Sequence, residues 1–111
     1  WWFPRGFAEA IAAGASDFIM PDLMKVGGVT GWLRVAAQAE AASIPMSSHL
    51  FAEASAHTLC VTPTAHWLEV LDFAGAILTH PIEIVDGTLI ARGPGARTRR
   101  SASRYVTIGP A

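Results

Sequence analysis

The chain alternates between alanine-rich stretches with helical spacing and short apolar runs that end in turn residues. The alanine-rich stretches span residues 7–13, 32–43 and 52–62, and each predicts a helix with one apolar side. The apolar runs SDFIMPD, IPMSS and HWLEVLD are short and bounded by turn residues, which favours buried strands. Further along, EIV and TLI flank Asp86 and Gly87, a pair typical of a type I′ hairpin turn. The predicted order is therefore helix, strand, helix, strand, helix, strand and hairpin.

Strands that alternate with helices across short connections predict parallel βαβ units, and the fold class is therefore α/β. Three strands cannot close a barrel, and an open sheet of three strands would leave two apolar edges exposed. Gly14 is predicted to end the first helix. The second helix is predicted to turn these residues inward, the last as a further candidate: Trp32, Leu33, Ala36, Ala37 and Ala41.

The composition is very apolar for a chain of this length. Hydrophobic residues make up 51% and charged residues 15% of the 111 residues, although a small domain needs much polar surface. We therefore expect that other protein covers part of this surface, and that the sequence belongs to something longer. The formal net charge of −1 argues against a nucleic-acid-binding protein as a whole. The basic run RGPGARTRRSASR predicts a solvated tail, with a nucleic-acid-binding arm as the weaker alternative.

Compartment is predicted from what the sequence lacks. Cys60 is the single cysteine, which excludes an internal disulfide framework and fits a reducing, cytoplasmic location. No apolar run approaches the ~18 residues of a membrane-spanning helix, and WWFPRGF does not have the pattern of a signal peptide. We therefore expect neither a membrane nor a nucleic acid as a partner.

The candidate chemistry lies at the three predicted strand ends, which carry Asp22, His49 and Glu69. In parallel α/β folds the carboxyl ends of strands meet at one edge, where ligands bind. Each residue also has a plainer interpretation. Asp22 could cap a turn or helix, His49 could be a satisfied core histidine, and Glu69 could face solvent by chance. Their joint occurrence favours a common pocket.

A carboxylate beside a histidine fixes the imidazole tautomer by accepting the Nδ1 hydrogen, and the other ring nitrogen can then take a proton from substrate. We therefore predict His49 as a general base and Asp22 as the residue that orients it. Glu69, if its apolar strand keeps it protonated, could donate a hydrogen bond to negative charge that develops on the substrate.

Three stretches carry a resemblance to a known family: MPDLMKVGGVTGW, IPMSSHLFAEASAH and TPTAHWLEVLDFAGAI. They resemble the C-terminal barrel of the enolase superfamily, in the mandelate racemase subgroup of the mandelate racemase/muconate lactonizing enzyme family. The resemblance runs over residues 14–91. It implies that residues 1–91 form the last three βα units of an enolase-type (β/α)₇β barrel with a C-terminal hairpin. Residues 92–111 are expected to be an irregular basic tail, either divergent or read in a shifted frame.

The resemblance also implies site residues. The family's Asp–His dyad, which moves the α-proton of a carboxylate substrate, matches Asp22 and His49. The family's substrate-binding glutamate matches Glu69. Lys25 matches a lysine that lines the family's pocket, and it is a second candidate for the base because a related subgroup uses a lysine in this region.

The implied function is that of a Mg²⁺-dependent enzyme acting on a 2-hydroxy acid or a sugar acid, as a racemase or a dehydratase. The family's metal ligands would lie before this chain, so we expect no metal ligand within it and no activity from the 111 residues alone. A homo-oligomeric parent is expected. Two alternatives stay open: a truncated, non-catalytic remnant of the fold, and, less well supported, a free-standing small α/β binding module.

Overall fold

The computed structural model describes residues 1–78, 82–91, 99–101 and 105–107. Among these residues, three α-helices come first along the chain, followed by one short strand, a 3₁₀ turn at Gly75–Ile77 and four further short strands. The elements are α1 Phe3–Ala12, α2 Gly28–Ala41, α3 Ala52–Cys60, β1 Trp67–Glu69, β2 Ile84–Val85, β3 Thr88–Ile90, β4 Arg99–Ser101 and β5 Tyr105–Thr107. Within these residues, every helix is too short or too polar to cross a bilayer.

Three extended segments run parallel to one another between the helices: residues 18–22, residues 45–49, and residues 64–69, which include β1. Parallel bridges join Ile19 to Met46, Asp22 to His49, and Met46 to Ala65. Only a few backbone hydrogen bonds link each pair of segments, such as the one from the His49 N–H to the Pro21 carbonyl at 3.0 Å, so the pairing extends over few residues. The parallel order brings the ends of all three segments to the same edge.

One side of these segments is packed against the helices. Ile19, Met46 and Leu68 are fully buried there, in a core that also contains Trp32 of α2. The Trp32 indole donates a 2.9 Å hydrogen bond to the Thr62 hydroxyl, so its N–H is satisfied inside the core. The helices therefore supply an apolar layer for one side of the segments.

The inward side of α2 differs in part from the prediction. The prediction was right for Trp32 and Ala36 and wrong for the other three residues, which are exposed: Leu33, Ala37 and Ala41. The buried set instead includes Val35 and Ala39, which follow Trp32 at the i+3 and i+7 spacing of one helix side. The helix begins at Gly28, inside what the sequence suggests to be a loop, and this early start was not anticipated.

Two positions in and after the helices require glycine, for different reasons. Gly14 follows α1 in the left-handed region, with φ +60°, and the N–H groups of Gly14 and Ala15 donate to Ile11 and Ala10. These bonds form a Schellman motif, as the prediction that Gly14 ends this helix requires. Gly31, within α2, must be glycine because a Cβ there would lie 1.8 Å from the Val26 carbonyl oxygen.

The C-terminal part of the chain adds antiparallel strands. β2 pairs with β3 across Asp86 and Gly87, whose φ values of +49° and +66° are those of a type I′ turn. The tail predicted to be irregular contains two strands: β4 pairs with β3, and β5 pairs with β1. Backbone pairing thus overrides a composition that is basic and poor in apolar residues. The remainder of the 92–111 tail lies outside the described residues.

Candidate active site

His49 and Glu69 meet at the edge where the second and third segments end. Nδ1 of His49 lies 2.9 Å from Oε2 of Glu69. A carboxylate oxygen only accepts, so the ring must carry its hydrogen on Nδ1 for this hydrogen bond to form. The His49 side chain keeps 39% of its surface exposed and Glu69 keeps 17%. The pair is therefore partly shielded from solvent and still reachable from outside.

The same glutamate oxygen also holds the backbone that follows His49. The Leu50 N–H donates to Oε2 of Glu69 at 2.8 Å. Leu50 and Phe51 both lie in the left-handed region, with φ values of +57° and +48°. Two such residues in succession are costly for side chains of this size, and such strain persists where surrounding contacts impose it. Here the Leu50 carbonyl also accepts from the Ser55 hydroxyl at 3.0 Å, which ties the turn to α3.

Two serines that sequence reasoning missed set the position of the third segment. The Ser48 hydroxyl accepts the N–H of Glu69 at 3.0 Å, and the Ser47 hydroxyl accepts the N–H of Trp67 at 3.2 Å. The serine side chains therefore stand in for strand carbonyls at the start and end of β1. The signal was the pair of hydroxyl residues directly before His49, because such side chains bond to backbone that the ladder leaves unpaired.

Asp22 lies beside His49 through the main chain, and its carboxylate is used differently. Oδ1 accepts the N–H groups of Met24 and Lys25 at 2.8 and 3.0 Å, which is the turn-capping role weighed as its plainer interpretation. Oδ2 is buried and has no hydrogen-bond partner. We expected Asp22 to accept the Nδ1 hydrogen of His49. In the structure the turn after Asp22 binds the Asp22 carboxylate, and Glu69 accepts from the His49 ring instead.

Glu69 and Lys25 make contacts other than the substrate contacts expected of them. Oε2 of Glu69 accepts two hydrogen bonds, so this atom is not a donor toward substrate. Nζ of Lys25 lies 5.6 Å from the centre of the Trp2 ring, a cation–π arrangement at the side of α1. Its ammonium group therefore points to Trp2 and makes no contact with His49 or Glu69.

Magnesium was expected from the resemblance, with its ligands before this chain. Among the residues the structure describes, no group of three or more His, Cys, Asp or Glu side chains could hold a metal ion. A hard divalent ion needs several oxygen ligands in one place, which Asp22 and Glu69 do not supply together. The described residues therefore do not fit a magnesium site by themselves.

An apolar cleft of about 250 Å³ opens beside the site on the side of the segments that faces away from the helices. Its lining residues are Phe18, Met20, Ser47, His66 and Trp67. His66 stacks on Phe18 with 5.3 Å between ring centres and meets Trp67 edge-on at 5.1 Å. Ser47 and Trp67 in this lining precede His49 and Glu69 by two residues, so the cleft lies on the side of the segments that also carries these two side chains.

Comparison with known proteins gives consistent relatives. The Bradyrhizobium enolase, solved in complex with magnesium and mandelic acid, is 80% identical with a TM-score of 0.82, over 85% of this chain and 26% of that one. L-talarate/galactarate dehydratase of Salmonella typhimurium is 27% identical over 77% of this chain and 21% of its own length. The 3,6-anhydro-alpha-L-galactonate cycloisomerase of Streptomyces coelicolor is 31% identical over 77% of this chain and 24% of its own length. The chain thus spans between about a fifth and about a quarter of the length of these relatives.

The relatives are enzymes of the enolase superfamily and include a dehydratase and a cycloisomerase. The sequence model of the family described as enolase C-terminal domain-like matches residues 2–97. The match covers most of the chain, and the α/β content agrees with the TIM-barrel-type domain of that family. The chain therefore belongs to the enolase C-terminal domain-like family, within the mandelate racemase group of the enolase superfamily.

Proposed function

We propose that this chain forms the last three βα units of an enolase-type (β/α)₇β barrel and carries the general base of an enzyme that removes the α-proton of a small carboxylate substrate. The observation that carries the proposal is the His49–Glu69 pair at 2.9 Å, next to Asp22, at the common edge of three parallel segments. Chemistry in barrels of this type occurs at that edge.

His49 is the proton acceptor in this proposal. Its Nδ1 is engaged, so Nε2 is the nitrogen available to a substrate, and it has no hydrogen-bond partner among the described residues. A neutral imidazole held by a carboxylate on one nitrogen is a base on the other. Proton transfer would require the α-carbon of the substrate to lie within hydrogen-bonding reach of Nε2.

Asp22 and Glu69 are the two candidate carboxylate partners of the base. The resemblance favours Asp22, whereas the distance to Nδ1 favours Glu69. The remaining oxygen of Asp22, Oδ2, is buried and unpaired, a state that costs free energy unless a donor meets it in the working site. Lys25 would have to leave the Trp2 ring to serve as a pocket residue or as a second base.

The substrate class follows the relatives. One solved relative carries mandelic acid, a 2-hydroxy acid, and another relative is a dehydratase named for talarate and galactarate, which are sugar acids. We propose a 2-hydroxy acid or sugar acid and a racemase or dehydratase outcome. A magnesium ion, as in the Bradyrhizobium relative, would be held by parts of a complete barrel beyond the described residues. A cytoplasmic location and a homo-oligomeric parent stay predictions.

The test uses two proteins: the 111-residue chain, and a chimaera in which this chain replaces the matched segment of the Bradyrhizobium enolase. Mandelic acid and galactaric acid are incubated with each protein and Mg²⁺ in D₂O, and loss of the α-proton signal is followed by NMR. We expect exchange with the chimaera on at least one acid and none with the chain alone. His49→Asn in the chimaera should abolish exchange, because asparagine cannot accept the proton.

The outcomes separate the alternatives. A folded chimaera without exchange on either acid would favour the remnant interpretation over the enzyme. Full exchange by the His49→Asn chimaera would remove His49 from the role of base. Exchange by the 111-residue chain alone would overturn the view that the rest of a barrel is required. His57→Asn, the same change at an exposed histidine of α3 outside the site, is the matched control and should retain exchange.

A further inference from the structure

We propose that Ser55 is a positioning residue for the candidate base, because its buried hydroxyl fixes the turn that directly follows His49. The inference rests on the proposed function for its catalytic meaning, and on the structure for its geometry. Only Leu50 and Phe51 lie between His49 and the first residue of α3. A residue that fixes this connection therefore limits how the end of the second segment can move relative to the helix.

The connection is strained and lacks a cap of the usual kind. Leu50 and Phe51 have φ values of +57° and +48°, in the left-handed region that large side chains disfavour. Phe51 is the N-cap residue of α3 and makes no side-chain hydrogen bond to the helix. An N-cap residue is ordinarily extended and carries an oxygen that binds the first turn. A strained conformation of this kind persists where surrounding contacts impose it.

The Ser55 hydroxyl makes such a contact. It donates to the Leu50 carbonyl at 3.0 Å, and Ser55 is 0% exposed. A serine within a helix commonly donates to a carbonyl three or four residues earlier in the same helix. Here the acceptor lies five residues earlier, before α3 begins, so the bond joins the helix to the connection. The Leu50 carbonyl belongs to the peptide plane shared with Phe51, so its direction fixes ψ of Leu50 and φ of Phe51 together.

Ser55 is itself fixed within the core. Its backbone N–H donates to the Phe51 carbonyl at 2.8 Å, so the residue binds both carbonyls of the connection. The neighbouring residues Ala52, Ala56 and Leu59 of α3 belong to the buried core. The hydroxyl therefore projects from a backbone with little freedom, which is what a residue needs in order to orient another one.

Two further buried hydroxyls of this region have a different task. The Thr58 hydroxyl donates to the Ser55 carbonyl at 3.1 Å, and the Thr62 hydroxyl donates to the Thr58 carbonyl at 2.8 Å. Both acceptors lie within α3, and neither bond reaches Leu50 or Phe51. The two threonines thus stabilise the helix, whereas Ser55 fixes the connection to His49.

The first test is the hydroxyl proton of Ser55, followed by NMR in the ¹³C-labelled 111-residue chain. In an equal mixture of H₂O and D₂O, a hydroxyl that exchanges slowly splits the Cβ signal of its serine into two lines. We expect this splitting for Ser55, because its hydroxyl is buried and hydrogen-bonded. A single line would overturn the proposal in the wild-type chain, without any variant.

The second test compares Ser55→Ala with Thr58→Val in the same chain. Ser55→Ala should move the Leu50 carbonyl ¹³C signal to lower frequency, since that carbonyl loses a donor. It should also weaken the NOE between the amide proton and Hα of Phe51, which is strong at positive φ. Thr58→Val is the matched control, because it removes a buried hydroxyl of the same helix and keeps the branched shape.

Both variants should lower the Tm, and only Ser55→Ala should change the signals of Leu50 and Phe51. Unchanged signals in a folded Ser55→Ala chain would overturn the proposal. Equal changes in the two variants would overturn it as well, because they would show that any lost hydroxyl of α3 disturbs the connection.

The same variants in the chimaera test the catalytic meaning. Ser55→Ala should lower kcat for α-proton exchange about tenfold, because misplacement by about 1 Å costs about 10²-fold and a residue that acts through the backbone should displace the base by less. KM should change less than about twofold, since the buried hydroxyl does not bind substrate. Thr58→Val should keep both constants.

The two kinds of readout separate this proposal from the proposed function, since the NMR signals need no substrate. A chimaera without exchange, together with the expected signals in the chain, would reject the enzyme and keep Ser55 as the residue that fixes the turn. An exchanging chimaera in which Ser55→Ala retains full kcat would keep the enzyme and reject the positioning role.

Discussion

The two sides of the parallel segments are unlike each other. On one side Met46 is 0% exposed, packed with Ile19 and Leu68 beneath the helices. On the other side Met20 is 39% exposed and Phe18 is 53% exposed, and both line the apolar cleft. The covered side receives its apolar partners from α2 and α3 of this chain. The open side receives none among the described residues.

The covered side stabilises the chain, whereas the open side is the surface where the chain would need further protein in order to act. The covered side is complete, because alternate residues of each segment meet helices that the same chain supplies. The open side is apolar, and Ser47 and Trp67 in its cleft precede His49 and Glu69 by two residues, so the candidate site borders an apolar surface that the described residues leave partly uncovered. Apolar surface of this kind in a small chain indicates contact with further protein.

The largest expected effect is the difference in unfolding free energy between truncating a methionine on the covered side and truncating one on the open side. Met46→Ala should lower the free energy of unfolding by about 2–5 kcal/mol, because it leaves a cavity in the packed core. Met20→Ala should cost less than about 1 kcal/mol, because that side chain is already partly in water. Urea unfolding of the 111-residue chain, followed by circular dichroism, measures both changes.

Equal losses of unfolding free energy in Met46→Ala and Met20→Ala would contradict the view that one side is packed and the other open. The same two variants can also be measured in the chimaera with the Bradyrhizobium enolase. If the rest of a barrel covers the open side there, Met20→Ala should cost more in the chimaera than in the 111-residue chain, whereas the cost of Met46→Ala should change little.

A smaller effect is expected at Gly31, on the covered side. Gly31→Ala should destabilise the chain by about 2 kcal/mol, because a Cβ would lie 1.8 Å from the Val26 carbonyl oxygen and the backbone must shift. Gly14→Ala is the comparison, with φ +60° and no atom within 4 Å of the new Cβ. It should cost about 1 kcal/mol for the left-handed conformation alone. Thermal unfolding of both variants gives the order, and a larger loss at Gly14 would contradict the contact.

Much of the fold could be predicted from pattern alone, because its signals are local. Gly14 ends α1 as expected, since a left-handed residue after a helix favours glycine. The start of α2 at Gly28 could not be predicted, because two glycines in succession suggest a loop. What makes Gly31 fit there is the close approach of Val26, a tertiary contact that leaves no trace in periodicity.

The candidate site shows the same division. That Asp22, His49 and Glu69 share one edge follows from the alternation of strands and helices, and the bridge between Asp22 and His49 agrees with it. Which carboxylate reaches the ring depends on side-chain reach and on competing donors. The Met24 and Lys25 N–H groups take Asp22, and the Leu50 N–H helps to hold Glu69. Sequence spacing does not encode such competition.

The smallest effect we expect concerns association through the open side. The 111-residue chain should self-associate, because Phe18 and Met20 present apolar surface that the described residues leave partly uncovered. Phe18→Ser should weaken association about tenfold, equivalent to about 1.4 kcal/mol, as only part of the ring is available for burial. Phe73→Ser is the matched control, since Phe73 is more exposed but does not line the cleft. Sedimentation equilibrium over a range of concentrations measures all three proteins. A monodisperse wild-type monomer, or an equal effect of Phe73→Ser, would show that the open side does not drive the contact.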